Sequence, residues 1–135
     1  MSQHRVKKTI LSKDTQHRQA FLRNGLRNLI THGQIKTTKA KAKELKRWAD
    51  KLIYQAQTDT PASRRQLHRF FGKRDMANTL VERIAPLFKK RHSGFTRIKP
   101  YGIRRGDNTK LVILELIKKP EVLGTLKNPK QKKRK

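Results

Sequence analysis

The side chains best placed to do chemistry in this sequence are cationic. Arginines stand in adjacent pairs at Arg64-Arg65 and Arg104-Arg105, and Lys39, Lys41, Lys43 and Lys46 lead into Arg47 and Lys51. A guanidinium presents a planar fork that grips phosphate at two points, whereas an ammonium is a compact point charge. Each such group set beside a nucleic-acid phosphate releases condensed counterions. The log–log salt slope is about −0.9 per contact on a duplex and about −0.7 on a single strand. Polyanion binding is the chemistry these residues suit.

Catalysis needs groups of perturbed pKa held in a water-poor pocket. The nine acids are scattered. Asp14 and Asp75 stand where helices start, and Glu44, Asp50 and Glu82 lie on predicted helix surfaces beside lysine or arginine, where local charge relief is the expected role. The five histidines are spread along the chain, with no pair at metal-ligand spacing. No glycine-rich phosphate loop with its lysine, nucleophile elbow or His-Glu-x-x-His helix occurs. The expectation is a non-enzyme with no cofactor, no metal and no small-molecule substrate.

Composition points the same way. Of 135 residues, 36 are Lys or Arg and 9 are Asp or Glu, a formal charge of +27 or one uncompensated charge per five residues. Such self-repulsion destabilises a compact state unless a dense negative partner is near. Apolar residues make up 33% of the chain, against about 45–50% in ordinary globular proteins by a slightly wider count, so the core must be thin. The absence of cysteine removes disulfides, thiolate zinc sites and iron–sulfur clusters. The longest apolar run, Leu111–Ile117, contains Glu115 and is far shorter than the roughly 18 residues of a membrane span. No apolar stretch follows the basic residues Met1–Lys8. The expectation is a soluble, unsecreted chain without a membrane partner.

The elements that must carry these charges are legible from periodicity. Residues 1–13 read as a basic N-terminal arm. Asp14 and Thr15 then open a helix on which Leu22, Gly25, Leu26, Leu29 and Ile30 form one apolar stripe, flanked by Arg23 and Arg27 and stopped by Gly33. Gln34–Thr38 reads as a strand. The next helix has the clearest period, through Leu45, Trp48, Ala49, Leu52, Ile53 and Ala56. Thr60 as cap and Pro61 at the first helical position start a third helix, which carries Leu67, Phe70 and Phe71 inward and ends at Gly72. Asp75 caps a fourth, with Ala77, Leu80, Val81 and Ile84 inward, closed by Pro86. Phe95–Tyr101 and Leu111–Ile117 read as strands around a basic loop, Gly102–Asn108. Residues 118–135 form a basic tail.

This order predicts a two-layer α+β fold: helix, strand, three helices, two strands, with a small three-stranded mixed sheet packed on helices and basic extended termini. The division is an arm (1–13), a single α+β RNA-binding domain (14–117) and a C-terminal tail (118–135). Trp48, Phe70, Phe71 and Phe88 are expected in the core. Phe95 and Tyr101 could stack on bases, although burial is the commoner fate of strand aromatics. Basic arms at both ends suit the crevices of a folded RNA better than a regular duplex.

Beginning at His17-Arg18-Gln19-Ala20-Phe21-Leu22-Arg23-Asn24, the sequence resembles the bacterial-type large-subunit ribosomal protein family seventeen. The likeness continues through Ile35-Lys36-Thr37-Thr38-Lys39-Ala40-Lys41-Ala42-Lys43-Glu44-Leu45. It returns at Ser93-Gly94-Phe95-Thr96-Arg97-Ile98 and at Arg104-Arg105-Gly106-Asp107-Asn108, and extends over roughly residues 4–117. Departures are local: Gln3 and Val6 replace two basic positions, Ser93-Gly94-Phe95 stands for a usual Gly-Gly-Tyr, and Thr109-Lys110-Leu111 for Ala-Pro-Met.

The resemblance implies a cytoplasmic structural protein of the ribosome, contacting large-subunit rRNA near the solvent side around the tunnel exit and adjoining neighbouring large-subunit proteins. Carried over by position, it implies rRNA contacts at His4, Arg5, His17, Arg18, Arg23, Thr37, Thr38, Lys41, Lys43, Arg97, Arg104 and Arg105. Charge alone adds Lys7, Lys8, Arg27, Arg64, Arg65 and Lys99. The two threonines are equally explicable as strand and helix-cap residues, and Arg105-Gly106-Asp107 as a turn between strands. The expected mechanism is scaffolding, in which a packed domain presents a basic surface and both arms order on contact with folded rRNA. The alternative is a DNA-compacting chromosomal protein, which would call for minor-groove arms or wedges on a symmetric dimer; no clear dimer seam is present. A cationic membrane-active protein is disfavoured by the coherent core-facing stripe of the basic helices.

Overall fold

The computed structural model describes residues 11–124. The expected contacts His4, Arg5, Lys7 and Lys8, and the last eleven residues of the tail, lie outside them. Helix α1 spans Thr15–His32, strand β1 Gln34–Thr38, α2 Lys39–Gln57, α3 Pro61–Phe71 and α4 Arg74–Thr79. Strands β2, Thr96–Ile103, and β3, Lys110–Leu116, follow.

Most helix ends obey local chemistry. The Asp14 carboxylate accepts the His17 N–H at 3.1 Å, and Gly33 takes φ 72° so that its N–H closes on the Leu29 carbonyl. Thr60 accepts the Ser63 N–H at 3.2 Å, with Pro61 at the first helical position and Gly72 at φ 68° ending α3. Gly25 has a different reason. A Cβ there would lie 2.7 Å from Leu45 Cδ2, so the missing side chain lets α1 approach α2 closely.

The fourth helix departs from expectation. Its cap position is Lys73, and Asp75 lies in the first turn, where a carboxylate favours the positive end of the helix dipole. Pro86 does not close the helical stretch. A π-helical turn, Leu80–Ile84, with the Ala85 N–H reaching back to the Leu80 carbonyl, leads into a 3₁₀ turn, Ala85–Phe88. Proline cannot donate the α-helical bond, so the chain changes helical pitch around it while keeping Leu80, Val81, Ile84 and Phe88 buried.

The sheet order is β1-β3-β2, and both pairs are antiparallel, with Gln34 opposite Glu115 and Thr96 opposite Leu116. The expected mixed sheet is therefore wrong. β1 and β2 run in the same direction, but β3 lies between them, so no parallel pair forms. A bulge in β2 between Pro100 and Gly102 sets Tyr101 out of register. β2 also begins at Thr96 and runs on to Ile103, which shortens the expected loop.

Alternate residues Val112, Leu114 and Leu116 face the helices, joined by Leu22, Leu26, Leu45, Leu52, Leu67, Ile84 and others in one core. Phe71, Phe88 and Phe95 are fully buried, with Phe88 and Phe95 edge to face at 5.3 Å. Trp48 and Phe70 stack at 5.6 Å as partly buried neighbours of that core. Phe95 is thus removed from any role as a base platform. Asp50, expected at the helix surface, accepts from the Phe95 N–H and the Thr96 hydroxyl at 3.2 and 3.1 Å, fastening α2 to the start of β2. Glu44, also expected at the helix surface, is buried, held by Arg47 at 2.9 Å and the Trp48 indole at 3.2 Å. The first part of the tail folds back on α1, where the Gly124 N–H donates to the Thr31 carbonyl at 3.0 Å.

Candidate nucleic-acid interface

Helices cover one face of the sheet and leave the other to solvent. Strand alternation places Lys36 of β1 and Arg97 and Lys99 of β2 on that open face, beside Ile113 and Glu115 of β3. Glu115 accepts from Arg97 Nε at 2.6 Å and Lys99 Nζ at 2.7 Å, with Lys119 Nζ at 3.6 Å. This roof leaves its side chain only 7% exposed. The Lys99 and then the Arg97 hydrogen bonds hold its carboxyl down to about 2. Three cations contact this one carboxylate and Lys36 lies on the same face, so positive charge remains in surplus there.

Beside it, a cleft of about 560 Å³ opens between β1, the first turn of α2 and the β2–β3 hairpin. Lys36, Thr37, Thr38 and Lys41 form one wall, and Tyr101, Ile103, Arg104 and Arg105 the other. The hairpin is a shaped turn. Arg104 donates its N–H to the Thr109 carbonyl at 2.9 Å, and Asp107 accepts the Thr109 N–H at 3.2 Å and Arg104 Nε at 3.1 Å. The Arg104 bond, followed by Thr109, holds the Asp107 carboxyl well below the usual carboxylate range, and Asp107 in turn raises Arg104. The Arg105-Gly106-Asp107 segment is thereby a turn, as read from the sequence. Lys36, Lys41 and Arg105 make no ion pair among the described residues.

A separate depression, of about 190 Å³, is lined by Arg64, Arg65, His68, Arg74 and Asn78. Arg64 is turned toward Asp59, at 2.6 and 3.0 Å, and Glu82, at 3.3 Å. Its bond to Asp59 lowers that carboxyl and raises the guanidinium. Arg65, His68 and Arg74 supply the rest of the positive lining.

The structure therefore gathers Thr37, Thr38, Lys41, Arg104 and Arg105 in one cleft, sets Arg97 and Lys99 on the adjoining sheet face, and puts Arg64 and Arg65 elsewhere. Thr38 occupies the cap position of α2 without a side-chain cap bond, which leaves its hydroxyl to the cleft. Lys43 lines a neighbouring apolar groove with Lys39 and Lys110. His17 and Arg18 lie on the first turn of α1, His17 Nε2 being 3.3 Å from Lys13 Nζ. Arg23 and Arg27 turn inward. Arg23 Nε donates to the Phe70 carbonyl at 2.8 Å and Arg27 donates to the Phe71 carbonyl, so both cap the last turn of α3. Lys36, Arg74 and Lys119 were not singled out as contacts from the sequence, whereas Tyr101, named with Phe95 as a possible stacking residue, lies exposed in the cleft. Alternation along β1 puts Lys36 opposite Ile35 in facing, but its neighbours follow only from strand pairing.

Known proteins resemble this chain over most of its length. A family model described as "Ribosomal protein L17" matches residues 21–117, from within α1 to the end of β3. A protein named "Large ribosomal subunit protein bL17" from Anaeromyxobacter sp. (strain K) is 44% identical over 114 residues, covering 84% of this chain and 72% of that one. Its namesake from Borrelia garinii subsp. bavariensis is 41% identical over 110 residues, covering 82% and 89%. That from Finegoldia magna is 42% identical over 107 residues, covering 79% and 82%. Because the match runs through both walls of the cleft and the whole sheet, the chain belongs to the ribosomal protein L17 family.

Proposed function

We propose that this chain is a non-enzymatic structural constituent of the large ribosomal subunit that holds folded large-subunit rRNA against its open sheet face and the adjoining cleft. The observation that carries the reading is the convergence of Lys36, Lys41, Arg97, Lys99, Arg104 and Arg105 on two contiguous surfaces with few carboxylates to satisfy them. Phosphates would neutralise the surplus that Glu115 and Asp107 leave among these cations. His17, Arg18, Arg65 and Lys43 extend the contact area, as do His4, Arg5, Lys7 and Lys8 of the arm. Family membership favours this role over DNA compaction. Neighbouring large-subunit proteins are expected at the rim.

A sucrose gradient of a lysate, probed for this chain, tests the assignment. The chain should travel with the large subunit and with whole ribosomes. Recovery in the chromosomal fraction instead would refute it.

A further inference from the structure

We propose that Tyr101 is a stacking platform for an unpaired rRNA base; this rests on the rRNA-binding reading above and adds a base-recognition site to it. Phosphate contacts position a protein on RNA but carry no information about its bases. The cleft is different because one of its walls is aromatic. Tyr101 falls in the β2 bulge between Pro100 and Gly102, and such bulges re-aim a side chain out of the regular pleat. The residue is 57% exposed, although large apolar side chains usually find cover. Lys36 Nζ lies over one face of the ring, 3.6 Å from its centroid, which holds the ring in place and leaves a base to stack on the opposite face.

The surroundings match the parts of a nucleotide. Lys41 and Arg105 line the same cleft without ion-pair partners among the described residues and suit a phosphate. Thr37 and Thr38 offer hydroxyls to a ribose or a base edge. Tyr54 makes a useful contrast: it is also exposed, at 54%, yet its depression is lined by Gln55, Thr58, Thr60 and Gln66, with Lys51 as the single cation. Phe95 is buried against Phe88. Tyr101 is thus the exposed aromatic that lies among cations. Bases within an A-form helix are stacked on one another, so the ring would take a base from a loop, bulge or single-stranded joint.

The test compares the full chain with Tyr101→Leu, Tyr101→Phe and Lys36→Ala, measuring the Kd for a transcribed large-subunit rRNA across a salt series. Thermal unfolding of each variant checks that the fold is kept; the exposure of Tyr101 predicts little change. Tyr101→Leu should weaken binding about five- to 150-fold, the range for one stacked base, with the salt slope unaltered. Tyr101→Phe should restore most of the affinity, because the ring and not the hydroxyl does the stacking. Lys36→Ala should flatten the slope by about 0.7–0.9, one phosphate contact. Unchanged affinity in Tyr101→Leu would overturn the stacking site, as would a loss that Tyr101→Phe shares. If the unaltered chain failed to bind the transcript at ordinary ionic strength, the rRNA-binding reading itself would fall.

Discussion

Replacing Glu115 with glutamine removes one charge from beneath the Arg97–Lys99–Lys119 roof while keeping the shape of the side chain. An ordinary glutamate titrates at 4.5, and Glu115 is held down to about 2. At 1.36 kcal/mol for each tenfold change in proton affinity, the difference between charged and neutral forms is about 3 kcal/mol. The three cations are about half exposed, so water and salt take back much of that energy. The greater penalty for breaking a buried pair, about 3–5 kcal/mol, does not apply because no unpaired charge is left buried. Glu115→Gln should therefore cost about 1–2 kcal/mol at pH 7 in moderate salt. The folded-state value is depressed, so this stabilisation is complete above 4.5 and is lost as the pH falls toward about 2. Urea unfolding of both proteins along a pH series should show midpoints that differ at neutral pH and converge through that window. A gap that persisted unchanged to the acid end would refute an ionic origin. Affinity for rRNA should move the opposite way, because Arg97 and Lys99 become available to phosphate.

Four further outcomes can be measured. Arg23→Ala should destabilise the chain by about 1.5–3 kcal/mol, the usual range for a charged donor lost from a carbonyl, and leave the rRNA salt slope unchanged in titrations, because Arg23 caps α3. Arg104→Ala combined with Arg105→Ala should weaken rRNA binding and flatten the slope by up to about 0.7–0.9 per lost contact, read from the same salt series. Gly25→Ala should lower the melting temperature, because crowding against Leu45, typically about 1–3 kcal/mol, outweighs the gain of up to about 1 kcal/mol in helix propensity. Phe95→Ala should cost about 3–5 kcal/mol in denaturant unfolding, as expected for an emptied aromatic site in a core.

The parts of this fold that were legible in advance are those whose causes lie within a few residues. Asp14, Gly33, Thr60, Pro61 and Gly72 act on N–H and C=O groups three or four positions away, so their roles can be read without knowing the neighbours. The inward stripes of α1 and α2 follow from helical period for the same reason. Pro86 shows the limit of that reading. Its missing N–H requires a change of hydrogen-bond pattern, but whether the chain stops or continues with a different pitch is settled by the burial of Leu80, Ile84 and Phe88. Glu44 and Glu115 look alike in sequence, each near lysines, and only packing shows that both carboxylates are covered. The candidate site was legible as a set of charges without an arrangement. Thr37, Thr38, Lys41, Arg104 and Arg105 are separated by more than sixty positions at the widest and share one cleft because β1 pairs with β3.

Taken alone, the order of residues determined the positive surplus, most of the helix ends and the likeness to a ribosomal family. These depend on composition or on short-range bonding, which any packing of the chain must respect. Tertiary structure decided which cations act together. It turned Arg23 and Arg27 toward the carbonyls of α3, spread Arg97 and Lys99 over Glu115, buried Phe95 and left Tyr101 open. A strand has the same two-residue alternation whichever neighbour it pairs with. The partner, its direction and the bulge that re-aims Tyr101 come from contacts between segments far apart in the chain, and those contacts form only when the core closes.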